Sequence, residues 1–146
     1  MKKIHLIVAF ALISSLFVAC KPKQINLREE LIPSEYLNNP AEMTFADSTF
    51  DFGTIKEGEK VKHVFKFTNT SKNDLFIAKG YGTCGCTVPE YPKDPIKPGE
   101  SNIITVQFNS AGKKGNQKKK VVLEANTKTA NVLFITAFVE VDSTKK

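Results

Sequence analysis

Apolar and polar residues alternate along most of the chain beyond its first third, with the period of two that is typical of β-strands. Residues 61–68 show the pattern most clearly, because the even positions are polar apart from Val64. The odd positions hold Val61, His63, Phe65 and Phe67. Residues 103–108 and 120–125 repeat the alternation, whereas residues 132–141 are mostly apolar on both faces. We therefore expect half-buried strands, with a central strand at 132–141.

Turn-forming residues divide this region into short segments. A strand is expected around Phe50, and a further short strand at residues 75–79. Residues 89–99 include four prolines and should be irregular, because proline cannot donate to a β-ladder. About seven strands in about 100 residues predict an all-β, antiparallel, Ig-like sandwich of seven to eight strands. A closed barrel is the alternative, since strand number alone does not separate the two folds.

The N-terminus has the parts of a secretion signal. Lys2 and Lys3 precede an apolar run over residues 4–17, and small residues lead to Cys20. The run is shorter than the about 20 residues that a membrane-spanning helix needs. Because it stops at a cysteine, the segment resembles a bacterial lipoprotein signal. The resemblance implies cleavage before Cys20 and lipid attachment to its sulfur, whereas an ordinary cleaved signal is the alternative.

These features divide the chain into four parts. They are a signal peptide at 1–19, a lipidated N-terminus and tether at 20–42, a domain at 43–141 and a tail at 142–146. The tether is expected to be flexible, because it mixes prolines and charges with apolar residues that follow no sustained period. The domain contains nine of the eleven phenylalanines, which supply the volume for one core.

The charge of the chain narrows its possible partners only slightly. Without Lys2 and Lys3 the formal net charge falls from +6 to +4, a modest excess that is compatible with anionic membrane surfaces. Export would place the protein out of reach of nucleic acid. Acidic residues do not follow Cys20 directly, because residues 21–24 are Lys-Pro-Lys-Gln. We therefore expect an outer-membrane lipoprotein that faces the periplasm.

Four short motifs follow one another in the predicted domain. They are Phe-Gly at 52–53, Phe-x-Phe-Thr-Asn at 65–69, Cys-Gly-Cys-Thr at 84–87 and Pro-Ile-x-Pro-Gly at 95–99. The succession resembles a bacterial domain-of-unknown-function family of exported, often lipidated, Ig-like proteins. That family is distantly similar to the Ig-like domains of Hydin and the major sperm protein, which act as binding or assembly modules. The resemblance implies the fold over residues 43–141 and brings no established activity.

Cys84 and Cys86 are the candidate disulfide or metal site. In an extended segment both side chains point to one face, and Gly85 lets the backbone bend towards them. The oxidising compartment of an exported protein favours a disulfide. A spacing of two residues would make its ring small, strained and easily reduced. Two thiolates would also suit Cu(I), whereas zinc would need two further ligands and His63 is the one obvious donor. A packed, inert cysteine pair is the third interpretation.

The remaining candidates argue against an enzyme. His63 lies on the apolar face of a strand, and the sequence has no Gly-x-Ser-x-Gly motif. Residues 113–120 are interpreted as a basic hairpin tip, which protects strand edges or contacts anionic head groups or an acidic partner. We expect a non-enzymatic, lipid-anchored envelope module that binds a protein or glycan. The alternative is thiol-redox or Cu(I) chemistry at Cys84 and Cys86.

Overall fold

The computed structural model describes residues 30–141, which form one short helix and eight strands. The elements are α1 (Ser34–Leu37), β1 (Met43–Phe45), β2 (Thr49–Lys56), β3 (Lys60–Asn69), β4 (Ile77–Gly82), β5 (Thr87–Glu90), β6 (Ser101–Asn109), β7 (Gly115–Ala125) and β8 (Asn131–Glu140). The strands form two four-stranded sheets, and the predicted all-β sandwich is confirmed. The predicted signal, Cys20 and the tail at 142–146 lie outside the described residues.

Sheet one has the strand order β1-β3-β6-β5, and sheet two the order β2-β8-β7-β4. All pairs are antiparallel except β2 with β8, which run parallel. This pair departs from the antiparallel prediction because the chain crosses between the sheets at residues 46–48 without reversing its direction. Strand β2 therefore continues in the direction of β1, which is also the direction of β8. As predicted, β8 is central, between β2 and β7.

The core lies between the inner faces of the two sheets. Phe65 and Phe67 of β3 are about 1% exposed, which confirms that the odd positions of this strand face inwards. The opposing sheet contributes Leu123, Leu133 and Ile135, each at most 1% exposed. On the other side of β3, Val64 is 43% exposed, so the apolar exception in the pattern faces solvent. Apolar burial on alternate residues is the main term that holds the sheets together.

Three strand predictions differ from the structure. Strand β4 begins at Ile77 rather than at residue 75, because Leu75 forms an isolated bridge with Ile96 instead. Residues 87–90 form β5 although they include Pro89, which an edge strand tolerates since one of its sides lacks ladder partners. Strand β7 starts at Gly115, so it contains most of the predicted basic hairpin tip.

Residues 30–42, which fall within the predicted tether, pack against the domain. Ile32 is 1% exposed, and the Tyr36 ring stacks on Phe76 with 5.0 Å between ring centroids. The buried Asn126 side chain donates to the carbonyl of Asn39, and the Ala41 amide donates to the Asn126 carbonyl. This segment is therefore held at the end of the sandwich where β7 ends. Within residues 30–141, no helix has the length and apolar character to cross a membrane.

Candidate functional site

The Cys-Gly-Cys motif forms the turn that carries the chain from β4 in sheet two to β5 in sheet one. A disulfide joins Cys84 to Cys86, with 5.3 Å between the two Cα atoms. Both cysteines are half-buried, and Cys86 packs against the hydrophobic core. Gly85 is exposed, and apart from its two neighbouring cysteines no residue has an atom within 4 Å of the position that a Cβ would occupy. The structure thus brings the two predicted residues together as a bonded pair at an open turn.

Hydrogen bonds fix this turn on both sides. The Thr83 amide donates to the carbonyl of Lys120, and the Thr87 amide donates to the carbonyl of Cys84. The Asn109 amide donates to the carbonyl of Cys86. Thr87 itself is 3% exposed, and its Oγ1 lies 3.6 Å from Cys84 Sγ and 3.9 Å from Cys86 Sγ. One buried hydroxyl therefore contacts both sulfurs, a feature that the sequence reasoning missed.

His63 does not join the cysteines. Strand β6 separates β3 from β5, and two strand spacings amount to about 10 Å. The imidazole instead stacks on Phe50, with 3.5 Å between ring centroids, and meets the edge of Phe65 at 4.6 Å. Burial lowers the pKa of His63 below its ordinary value of 6.5, while the Asp47 carboxylate acts in the opposite direction. Among residues 30–141, no three His, Cys, Asp or Glu side chains form a group that could hold a metal.

A second candidate site lies on the outer face of sheet two. Lys118 and Lys120 of β7 are opposite Thr136 and Phe134 of β8, so the basic run contributes to a sheet face rather than to a hairpin tip. The Lys118 ammonium lies 4.9 Å from the centre of the Phe134 ring, a cation–π contact. We define the sheet-two face as the surface formed by Asp51, Asn116, Lys118, Lys120, Phe134, Thr136 and Phe138.

The sheet-two face contains a pocket with a volume of about 450 Å³. Asp51, Gly53 and Thr54 line one side of it, where the register of β2 shifts at a bulge and Gly53 adopts a positive φ of 66°. Asp51 Oδ1 accepts hydrogen bonds from Thr136 Oγ1 at 2.9 Å and from the Gly53 amide at 3.1 Å. Phe138 lines the pocket and is 45% exposed.

The sequence reasoning did not single out this pocket. The signal that could have found it is the apolar character of both faces of residues 132–141. One face of β8 fills the core with Leu133, Ile135 and Val139, whereas the other presents Phe134 and Phe138 on the outside. Aromatic rings on the outer face of a sheet are more typical of a contact surface than of a solvated one.

The comparisons with known proteins agree with this architecture. Residues 43–139 match the family described as "Protein of unknown function (DUF1573)", and the chain belongs to that family. No curated protein matches the chain in sequence.

Solved structures similar to this chain include a PapD-like domain, in agreement with the sandwich fold. A protein of unknown function from Porphyromonas gingivalis W83 has a TM-score of 0.59 and 15% identity, over 68% of this chain and 47% of that one. The seventh PapD-like domain of human CEP192 has a TM-score of 0.56 and 9% identity, over 71% and 89%. A chain from a chaperone–tip adhesin complex of CFA/I fimbriae has a TM-score of 0.51 and 16% identity, over 68% and 59%. At these identities the likeness concerns the fold, and the chain spans about half the length of the Porphyromonas protein.

Proposed function

We propose that the protein is a lipid-anchored module of the bacterial cell envelope that binds an acidic protein or glycan through its sheet-two face. The observation that carries the proposal is Phe138, an aromatic side chain that is 45% exposed beside a pocket. A ligand that covers a half-exposed phenylalanine buries further apolar surface, which favours binding. Asp51, Asn116 and Lys118 surround it with a carboxylate, an amide and an ammonium that could orient such a ligand.

The two lysines favour an acidic partner. Lys118 and Lys120 project from the outer face of β7 on either side of Lys119, whose ammonium lies over the Phe108 ring. The Asp51 carboxylate, in contrast, is already engaged by Thr136 and Gly53. The sheet-two face has two ammonium groups and one carboxylate, so its formal charge is positive, and the interaction with an acidic partner should weaken as salt screens it.

Binding rather than catalysis is supported by the environment of the histidine. Phe50 and Phe65 cover the His63 ring from one face and from one side, so it is placed for packing rather than for proton transfer at a substrate. The anchor proposed for the module is lipid on Cys20, which would hold it at a membrane, with the outer membrane and its periplasmic side as our expectation.

A second candidate function is thiol-redox or Cu(I) chemistry at Cys84 and Cys86. The bonded sulfurs favour the redox form, because a soft metal needs both sulfurs as free thiolates.

Crosslinking in the native envelope tests the binding function with matched variants. Phe138→Ala and Lys118→Gln should each reduce capture of the crosslinked partner several-fold, because they remove the exposed ring and the central charge. Ile103→Ala and Lys66→Gln are the controls: Ile103 is also 45% exposed, and the two residues are paired on the outer face of sheet one. The controls should capture the partner as the parent does. Equal losses on both faces, or no loss on either, would contradict the assignment.

A further inference from the structure

We propose that the Cys84–Cys86 disulfide is a redox-active bond that exchanges with the dithiol of an envelope reductant protein. The inference is independent of the sheet-two face, since the turn joins β4 to β5 and shares no residue with the pocket. It rests on the size of the ring, the openness of the turn and the hydroxyl that contacts both sulfurs.

The bond contributes little to the fold. The two cysteines are two positions apart, so the closed loop is minimal and removes little entropy from the unfolded chain. The core between the sheets and the backbone hydrogen bonds at Thr83, Thr87 and Asn109 are formed by other groups. These bonds would also keep the Cα atoms close after reduction, ready for the ring to close again. We therefore expect both redox states to be folded.

An incoming thiolate has an open approach to Cys84. Gly85 is exposed and adds no side chain over the ring, and apart from the two cysteines no residue has an atom within 4 Å of the position that its Cβ would occupy. Cys86 is the inner of the two cysteines, because it packs against the core and its carbonyl is bonded to β6. Cys84 Sγ is therefore the sulfur that we expect a partner to attack, with Cys86 Sγ as the leaving group.

The Thr87 hydroxyl can stabilise the thiolate that forms when the disulfide breaks. Thr87 Oγ1 is buried and lies 3.6 Å from Cys84 Sγ and 3.9 Å from Cys86 Sγ, so its hydroxyl can donate to either sulfur when that sulfur becomes a thiolate. A hydroxyl donor in this position stabilises a thiolate relative to a site without one.

The exchange balances with one dithiol as the co-reactant. A thiolate of the reductant attacks Cys84 Sγ, the Cys84–Cys86 bond breaks, and Cys86 leaves as a thiolate that then takes a proton from water. The mixed disulfide joins Cys84 Sγ to the first sulfur of the reductant. The second thiolate of the reductant attacks that first sulfur and releases Cys84 as a thiolate, which then takes a proton from water. The reductant becomes a disulfide, and two electrons and two protons have passed to the cysteine pair.

Equilibration of the full chain in glutathione buffers tests the proposal. All proteins in this test also contain Cys20→Ser, so that the thiols of Cys84 and Cys86 alone are counted. The native protein should convert reversibly between disulfide and dithiol as the glutathione ratio changes, with its far-ultraviolet circular dichroism unchanged. Thr87→Val should slow reduction roughly threefold or more and raise the pH at which the thiols alkylate, and Thr87→Ser should restore both. Phe138→Ala, on the sheet-two face, should exchange as the parent does.

Single-cysteine variants identify the attacked sulfur without relying on the Thr87 variants. With Cys20→Ser also present and with oxidised glutathione, Cys86→Ser should form an adduct on Cys84 several-fold faster than Cys84→Ser forms one on Cys86. Thiols that react only in denaturant, or parental behaviour of Thr87→Val together with equal adduct rates, would overturn the proposal and leave an inert structural bond.

Discussion

At the scale of single residues, His63 is a titratable side chain that packs between aromatic rings of the sandwich. The ring belongs to the inner face of β3 but contacts Phe50 of β2, so it joins the two sheets near one edge. The position favours a neutral imidazole, because burial disfavours the charged form more than Asp47 stabilises it. The stability of the domain should therefore depend on the protonation of this residue.

Acidification should destabilise the parent protein more than a His63→Phe variant. The pKa of His63 in the folded state is lower than its ordinary value of 6.5, so the unfolded chain takes up the proton first. The contribution of the neutral ring is complete above that ordinary value and is lost as the pH falls through the folded pKa. Urea denaturation at about pH 7.5 and about pH 5 measures the difference. The same loss of stability in both proteins would show that other groups cause the pH dependence.

For buried polar residues, the sequence predicts local hydrogen bonds but not those to distant parts of the chain. The turn at 69–74 could be predicted from its composition, and Asn69 does bond to Ser71 and Asn73 as such turns do. Its further bond to the carbonyl of Ile96 could not be predicted, because it joins residues 27 positions apart. Asn126 is the same case, since it collects partners from segments that only the fold brings together.

At the scale of elements, the crossing from β4 to β5 depends on a glycine. A Cβ at Gly82 would meet the carbonyl oxygen of Thr87 and would lie 2.8 Å from its Cβ. The backbones approach here because β4 and β5 are the edge strands of different sheets, joined by four residues. An added methyl group would therefore push the disulfide turn away from β5.

Gly82→Ala should lower the free energy of unfolding by about 1–3 kcal/mol, the usual cost of overpacking. Gly85→Ala is the matched control in the same turn, because its Cβ would enter open space. We expect the control to change stability by less than about 0.5 kcal/mol. Urea denaturation of both variants under oxidising conditions measures the contrast. A Gly82→Ala protein as stable as the control would mean that the crossing relaxes without cost.

Strand periodicity predicts elements better than it predicts their partners. The alternation over 61–68 identified β3 and its buried face, because one side of that strand fills the core. The basic run was assigned to a hairpin tip because lysines at 118–120 hide the period of β7, whose alternate residues still face inwards and outwards. The parallel partner of β2 was missed for another reason: alternation records which side is buried and carries no information on the neighbouring strand.

At the scale of the molecule, the packed N-terminal segment and the disulfide turn lie at opposite ends of β4. Ile77, where β4 begins, pairs with Ala125 beside the buried Asn126, to which residues 39 and 41 bond. Gly82, where β4 ends, leads into the Cys84–Cys86 turn. A strand of six residues spans about 20 Å. A membrane anchor at the N-terminus would therefore leave the disulfide at the far end of this strand.

The proposed lipid on Cys20 would set the distance between the domain and a membrane. Residues 20–29 span at most about 35 Å, so lipidation would hold the packed end within that distance of the bilayer. Cys20→Ser should therefore move the full-length protein from the membrane fraction to the soluble fraction, because it removes the sulfur that would carry the lipid. Cys84→Ser is the control, because it also removes one thiol but leaves the anchor, and it should remain with the membrane. A Cys20→Ser protein that still sediments with membranes would refute the lipid anchor, and the reach of the domain would then have to be set by another contact.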